Sequence, residues 1–210
     1  MRSHVDICDP SLKAVRVLKQ LQKECASYFT LQLVAFPQDG YLRDPQAQSQ
    51  LERALDLGVD VIGGIPHFER TATEARLSLD KLCRLAADRG LMMDIHCDET
   101  DDPQSRYILD LASFSIQYGL QGRVTGSHLT SLHSVPNGAI QHLIGVLQEA
   151  CMHVVANPLI NLTLQGRVDS YPKRRGLTRV KELLEAGLKV AFGHDCVMDP
   201  WYPLLSLIHI

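Results

Sequence analysis

The sequence predicts an α/β fold, a (β/α)8 barrel of the TIM type that is one strand short of eight. Short apolar segments alternate with amphipathic segments along the 210 residues, which is the pattern of βαβ units. The apolar segments are hydrophobic almost throughout, as expected for parallel strands that are buried on both faces. Polar side chains follow the ends of six of these segments. The strand ends are therefore expected to meet at one place.

Seven strand segments follow one another at regular intervals. Each is rich in Val, Ile, Leu or Phe and is bounded by turn residues, which is typical of strands. In chain order they are residues 2–7, 29–36, 59–65, 91–96, 123–127, 153–156 and 189–193.

Helices are predicted between the strands, because apolar residues recur there on one helical face. The first opens at Asp9-Pro10, and Pro or Thr residues mark several of the later starts. A long polar loop is expected after Pro158. The later helices are predicted at residues 45–58, 71–88, 103–118, 137–151 and 178–186.

Two architectures share this alternation, a doubly wound open sheet and a closed barrel. A closed barrel gathers all C-terminal strand ends around one mouth, whereas an open sheet gathers them chiefly at its switch point. The sequence has no G-x-G-x-x-G after the first strand and no phosphate loop. We therefore expect a partial barrel over residues 1–204. The polar strand-end residues that favour it are Gln38, Glu69, His96, Glu99, His128, Asn157 and Asp195.

Composition narrows the class of protein. A formal net charge of −3 gives no basic excess and argues against a nucleic-acid partner. No apolar run approaches the length of a membrane span, so no membrane partner is expected. The six cysteines are scattered and form no C-x-x-C pair. We interpret them as reduced thiols of a cytoplasmic protein.

Four ionisable residues at the predicted mouth suggest metal chemistry. His96 and Asp195 supply imidazole and carboxylate, which suit Zn²⁺ or Fe²⁺. Such a metal activates bound water, and a nearby Glu99 would carry its proton to a leaving group. His128 could bind the resulting hydroxide or help to hold the metal. Singly, each residue has a plainer structural explanation, such as a helix N-cap for Asp195.

Three further residues are candidates for substrate contact. The amide of Gln38 suits a ring amide edge, but it could equally be a turn residue before Asp39-Gly40. Trp201 could cover a flat ring or pack on the barrel rim. Cys196 is either a buried thiol or part of the pocket wall. His67 and Glu69 also fall at the mouth, with no assigned role.

At this point a family resemblance emerges. The chain resembles the bacterial cytosine deaminases of the amidohydrolase superfamily, in order and over nearly its whole length. The segments that carry the resemblance are residues 34–38, 65–69, 96–99, 127–128, 156–159, 164–167, 171–176, 192–195 and 199–203.

The resemblance implies a (β/α)8 barrel with a small β-sandwich, and strands 2 to 8 of that barrel are present here. It implies that His96 and Asp195 bind one divalent metal ion, Fe²⁺ or Zn²⁺, and that Asp195 also accepts a proton. Glu99 would shuttle protons, and His128 would orient the hydroxide on the metal. Gln38 would read the pyrimidine, and Trp201 would line its pocket. The implied reaction converts cytosine and water to uracil and ammonia, in a homo-oligomeric enzyme.

Three departures from the family pattern lead to further expectations. The family's first strand carries a His-x-His pair with two more metal ligands, and this pair is missing. Cys196 stands where well-known members have a second Asp, so the substrate could be another cyclic amine or amide. Residues 205–210 depart from the family and are expected to be a non-native tail. We therefore expect an internal fragment of a longer deaminase, with a non-catalytic barrel remnant as the alternative.

Overall fold

The structure, a computed structural model, describes residues 1–196. Within that range strands alternate with helices along the chain. The strands are β1 (Arg2–Asp6), β2 (Gln32–Phe36), β3 (Val61–Gly64), β4 (Met92–Cys97), β5 (Val124–His128), β6 (His153–Ala156) and β7 (Lys189–Phe192). The α-helices are α1 (Lys13–Glu24), α2 (Ala47–Asp56), α3 (Ala72–Arg89), α4 (Tyr107–Gln117), α5 (Asn137–Glu149), α6 (Pro158–Leu164) and α7 (Val180–Glu185), with short 3₁₀ helices at Pro66–Phe68 and Thr130–Ser134.

All strands described here form one parallel sheet in the order β1 to β7, each paired with its neighbours in sequence. Each connection is therefore a crossover that carries a helix, as predicted. In residues 1–196, β1 pairs with β2 alone and β7 with β6 alone. The sheet is an incomplete barrel with two open edges.

One side chain demonstrates how strongly the sheet curves. Arg2 on β1 donates from Nη1 to Asp94 Oδ2 on β4 at 2.7 Å and to Thr125 Oγ1 on β5 at 3.3 Å. In a flat sheet four strand spacings would separate β1 from β5 by about 19 Å. The contact is possible only because the sheet bends round and brings the two strands face to face.

Alternation along β4 separates the apolar core from the polar interior. Met93, Ile95 and Cys97 are fully buried in the hydrophobic cluster that the sheet forms with its helices. Asp94 and His96 project to the other side of the strand, where they meet side chains of β1 and β5. The period of two in a strand thus places the metal candidate inside the barrel.

Three predicted helices begin later than expected, and the reason is the same each time. The sequence Asp-Pro-x precedes α1, α2 and α4, and in each case the Asp carboxylate accepts the backbone N–H two residues on. The bonds are 3.0 Å at Asp9, 2.9 Å at Asp44 and 2.8 Å at Asp102. These are Asx turns, which compete with helical hydrogen bonding. The Pro therefore lies in a turn before the helix.

The long polar loop that was expected after Pro158 begins instead as the helix α6. Pro158 occupies its first turn, where the missing N–H costs nothing and the fixed φ favours helix. Residues 165–179 then form the irregular connection to α7.

None of the helices in the described part of the chain is both long and apolar enough to cross a lipid bilayer. The six cysteines all lie in this part and form no disulfide. The tail at residues 205–210 lies outside the described residues.

Candidate active site

His96 lies near the C-terminal end of β4, in an aromatic cage inside the barrel. Its ring centroid is 4.4 Å from that of Phe36, 4.5 Å from His4 and 4.6 Å from His128. Burial, followed by the nearby His128, holds the pKa of His96 well below its usual range. The ring is therefore neutral at neutral pH and keeps a lone pair, which metal ligation requires. Its Nδ1 is buried and has no hydrogen-bond partner among the described residues.

His128 ends β5, with a left-handed backbone at φ 73°. Its ring lies between two carboxylates: Nδ1 is 3.0 Å from Glu99 Oε1, and Nε2 is 3.3 Å from Asp195 Oδ1. Burial by itself would lower the pKa of His128, but Glu99 and Asp195 together raise it to about 10. The imidazolium form is thus stable well above neutral pH in this arrangement.

Glu99 reaches His128 because the chain turns sharply at Asp98, whose φ is 55°. The Asp98 carboxylate is fully buried and accepts from Ser105 Oγ at 2.8 Å and from the N–H groups of Tyr107 and Ile108 at 2.9 Å. Burial raises the pKa of Asp98 in spite of these bonds. Asp98 therefore ties the start of α4 to the end of β4 and directs Glu99 toward the interior.

Asp195 follows β7 and brings a carboxylate to the same point. One ligand atom each from His96, His128 and Asp195 can be chosen so that all lie within 4.8 Å of one another. Imidazole and carboxylate are the donors that Zn²⁺ and Fe²⁺ accept, and His96 and Asp195 supply one of each. His128, protonated between Glu99 and Asp195, has no lone pair for a metal. His96 and Asp195 therefore fit a divalent metal ion.

Two buried asparagines complete the surroundings of His128. Asn157 Nδ2 lies 3.1 Å from His128 Nε2, and Asn161 Nδ2 donates to Glu99 Oε1 at 2.8 Å. Gly193 makes room for Asn157, because a Cβ there would collide with Asn157 Oδ1. Asn157 was predicted at the mouth from its strand-end position, but Asn161 was not among the predicted site residues. Its spacing of four residues from Asn157, after a Pro at a helix start, is the signal that could have found it.

A layer of polar side chains that was not predicted lies beneath the site. Asp94 accepts from Arg2 Nη1 at 2.7 Å and from Ser127 Oγ at 2.6 Å, and His4 Nε2 lies 3.5 Å away. Burial by itself would raise the pKa of Asp94, but His4, Ser127 and Arg2 together lower it. Arg2 and His4 stand two positions apart on β1, as Asp94 and His96 do on β4, and that period was a usable signal.

Glu69 has a structural task at the mouth. Its carboxylate accepts the backbone N–H groups of Tyr41, Leu42 and Arg43 at distances of 2.8 to 3.2 Å. It thereby fastens the loop after β2 to the loop after β3. His67 lies two residues before Glu69, and neither of its ring nitrogens has a hydrogen-bond partner among residues 1–196. Burial lowers the pKa of His67 to about 4.

Cavities open on both sides of the His128–Glu99 contact. One, of about 340 Å³, is lined by His128, Asn157, Asn161 and residues 176–182. Another, of about 530 Å³, is lined by His67, Phe68, Glu99 and Tyr107 among others. Both volumes fall in the range of small-molecule sites.

The predicted metal and catalytic residues come together, but the predicted substrate residues are more dispersed. His96, Glu99, His128 and Asp195 form one connected cluster. Gln38 is exposed after β2 and lines neither cavity. Cys196 is next to Asp195, and its carbonyl faces His194 Nδ1 at 2.6 Å. Trp201 lies outside the described residues.

Comparison with known proteins yields a consistent set of relatives. A model of the amidohydrolase family matches residues 9–208. A pterin deaminase from Rhizobium rhizogenes is 30% identical over 205 residues, which make up 96% of this chain and 46% of that protein.

Solved structures agree with the predicted barrel. The crystal structure of 5-methylcytosine deaminase from Klebsiella pneumoniae, liganded with phosphonocytosine, has a TM-score of 0.94 at 43% identity, over 97% of this chain and 50% of that one. N-isopropylammelide isopropylaminohydrolase from Burkholderia multivorans has a TM-score of 0.80 at 27% identity, over 96% of this chain and 48% of that one. The chain thus spans about half the length of these relatives.

Proposed function

Because the chain belongs to the amidohydrolase family, as its motifs predicted, we propose that it forms the catalytic core of a metal-dependent deaminase that converts cytosine to uracil. The observation that carries the proposal is the row of Glu99, His128 and Asp195 beside His96. Two carboxylates lie on opposite nitrogens of one imidazole, at 3.0 and 3.3 Å. Such a row can pass protons between a water molecule and a leaving group.

A divalent cation, Fe²⁺ or Zn²⁺, held by His96 and Asp195 would lower the pKa of a water molecule and so supply the nucleophile for hydrolysis. Asp195 would accept a proton from the attacking water. Glu99 delivers protons to the ring nitrogen and to the departing amine. His128 would orient the attacking oxygen from the Nε2 side of its ring, which it shares with Asp195, and it keeps the two carboxylates apart. The carbon–nitrogen bond of the amino group breaks, ammonia leaves, and a ring carbonyl remains.

Substrate recognition is assigned to three residues in this proposal. The Gln38 amide hydrogen-bonds the amide edge of the pyrimidine, since it can donate and accept at once. Trp201 covers the flat ring, and Cys196 forms part of the pocket wall beside Asp195. The likeness at 43% identity to 5-methylcytosine deaminase supports a pyrimidine as the substrate.

We also propose that activity needs one more strand, which pairs with both β1 and β7 and supplies two further His ligands. The open edges of the sheet support this, as does the share of each relative that the chain spans. On this proposal residues 1–204 are the central part of a longer barrel. We call a protein that contains this chain and such a strand the strand-complemented protein.

A second candidate is a related amidohydrolase that acts on another cyclic amine. The pterin deaminase that shares 30% identity with the chain favours it. A Cys at position 196, where well-known cytosine deaminases have an Asp, is consistent with a different substrate. A barrel remnant without catalysis is a weaker alternative, because Glu99, His128 and Asp195 remain connected.

The test measures ammonia release by the metal-loaded, strand-complemented protein from cytosine, 5-methylcytosine and pterin. We expect kcat/KM for one of the pyrimidines to exceed that for pterin at least about tenfold, or about 1.4 kcal/mol of transition-state binding. A preference for pterin would replace cytosine with the second candidate. No ammonia from any of the three, with metal bound, would refute deamination.

A further inference from the structure

Asn161 on α6 joins the two catalytic candidates that come from different strands. Its Nδ2 donates to Glu99 Oε1 at 2.8 Å, and its Oδ1 lies 3.2 Å from His128 Nδ1. The side chain is almost completely buried, with 1% of its surface exposed. We propose, on the basis of the proposed deamination, that Asn161 is a positioning residue that holds the Glu99 carboxylate in its proton-carrying geometry.

The chemistry of the amide fixes its orientation. The NH2 group must face the carboxylate, which only accepts, and the carbonyl oxygen faces the His128 ring, whose N–H donates. An aspartate or a hydrophobic residue of similar size could satisfy one of these neighbours or neither. The amide satisfies both at once.

The fold holds Asn161 firmly. Its N–H donates to the Asn157 carbonyl at 3.1 Å, and its own carbonyl accepts from Gln165 N at 3.0 Å. Gly176 packs over this turn with φ 63°, and a Cβ there would lie 2.9 Å from the Asn161 carbonyl oxygen. The amide is therefore presented by a helix that cannot shift easily toward Gly176.

The contacts of Asn161 and His128 give the two carboxylate oxygens of Glu99 different roles. Oε1 receives the contacts of both His128 and Asn161. We assign Oε1 as the anchored oxygen and Oε2 as the one that carries the proton. A carboxylate held at one oxygen keeps the other in a fixed place, and catalysis depends steeply on such positioning.

The test compares two substitutions in the strand-complemented protein. Asn161→Asp keeps size and shape but replaces the NH2 donor with an acceptor beside Glu99. Asn161→Ala removes both ends of the amide. If Asn161 served packing alone, the aspartate would be tolerated better than the alanine. We expect the reverse or equality, with kcat lowered about ten- to a hundredfold in both, as for loss of a charge-assisted hydrogen bond.

Several readouts separate positioning from unfolding. KM for the pyrimidine should stay within about threefold of the parent protein, because the loss falls on the transition state. Metal content per chain should not change. Asn137→Asp is the control, since Asn137 is an exposed amide that bonds Arg179. It should keep the parent kcat.

A crystal structure of the Asn161→Asp variant decides the inference independently of activity. We expect Glu99 Oε1 to leave its position near His128 Nδ1. An unmoved Glu99, or a parent kcat in this variant, would overturn the positioning role. If the parent protein itself releases no ammonia, the proposed function fails, and the position of Glu99 still decides whether Asn161 holds it.

Discussion

Glu99 is the residue on which the proposed proton transfer depends. The Glu99→Gln variant keeps the side-chain length but cannot carry a proton, and Glu99 is not one of the candidate ligands grouped around the metal position. In the strand-complemented protein we expect kcat to fall by at least about a hundredfold, with metal content unchanged. His96→Ala should lose metal and activity together. The exposed His142 on α5 provides a control, and His142→Ala should alter neither. Near-normal turnover by Glu99→Gln would contradict its role.

His67 makes stability depend on pH. Its pKa of about 4 in the folded state lies below the value of about 6.5 for an unfolded chain. Between these values the unfolded chain binds a proton that the folded protein does not. The folded state is therefore destabilised as the pH falls from about 6.5 to about 4, by on the order of 3 kcal/mol in all.

Urea unfolding of the strand-complemented protein, at about pH 7 and about pH 4.5, measures this dependence. The His67→Phe variant fills a similar space without titrating, so it should lose the part of the acid sensitivity that His67 causes. His142→Phe, on an exposed face, should retain it. Equal acid sensitivity in the parent and the His67→Phe variant would argue against a neutral, buried His67.

At the scale of elements, Asp98 connects the end of β4 to the start of α4. Asp98→Ala would leave a hydroxyl and two N–H groups without their acceptor inside the protein. We expect a loss of about 3 kcal/mol or more in the free energy of unfolding. Asp44→Ala is the matched control, because Asp44 accepts one N–H in an exposed turn, and it should cost about 1 kcal/mol. Equal losses measured by denaturant unfolding would contradict the anchoring role.

The strands and most helices could be predicted because their signals are local. Short apolar segments, separated by helical ones, predicted every strand within residues 1–196. Polar residues at the strand ends, such as His96, Glu99 and His128, predicted that these ends meet at one mouth. The turns at Asp9, Asp44 and Asp102 delayed three helices because side-chain bonds there compete with the helix. Asn161 was missed for a different reason. Its spacing of four residues from Asn157 is only a weak local signal, and it is the fold that brings this amide between Glu99 and His128.

At the scale of the whole molecule, the two open edges dominate the behaviour that we expect. β1 and β7 each lack a partner on one side among the described strands, and Phe192 on β7 is 66% exposed. Unpaired edges invite pairing between chains.

We therefore expect these 210 residues, expressed by themselves, to aggregate, to bind no stoichiometric metal and to show no deaminase activity. Size-exclusion chromatography and metal analysis test this directly. The strand-complemented protein, purified in the same way, is the control and should be monodisperse. A monodisperse preparation of the chain itself, with one tightly bound Fe²⁺ or Zn²⁺ per chain, would contradict the expectation.

The contact from Arg2 to Asp94 and Thr125 has a consequence for how the barrel is completed. It fastens the first strand to the middle of the sheet through the interior, so the curvature does not depend on a closing strand. The gap between β1 and β7 is therefore already formed when no strand fills it. When a strand segment on another polypeptide binds in this gap, little further ordering of the chain is needed. Such preorganisation favours association. Two inactive pieces of the proposed deaminase, produced together so that the strand segment is present before this chain aggregates, are therefore expected to restore one another's activity.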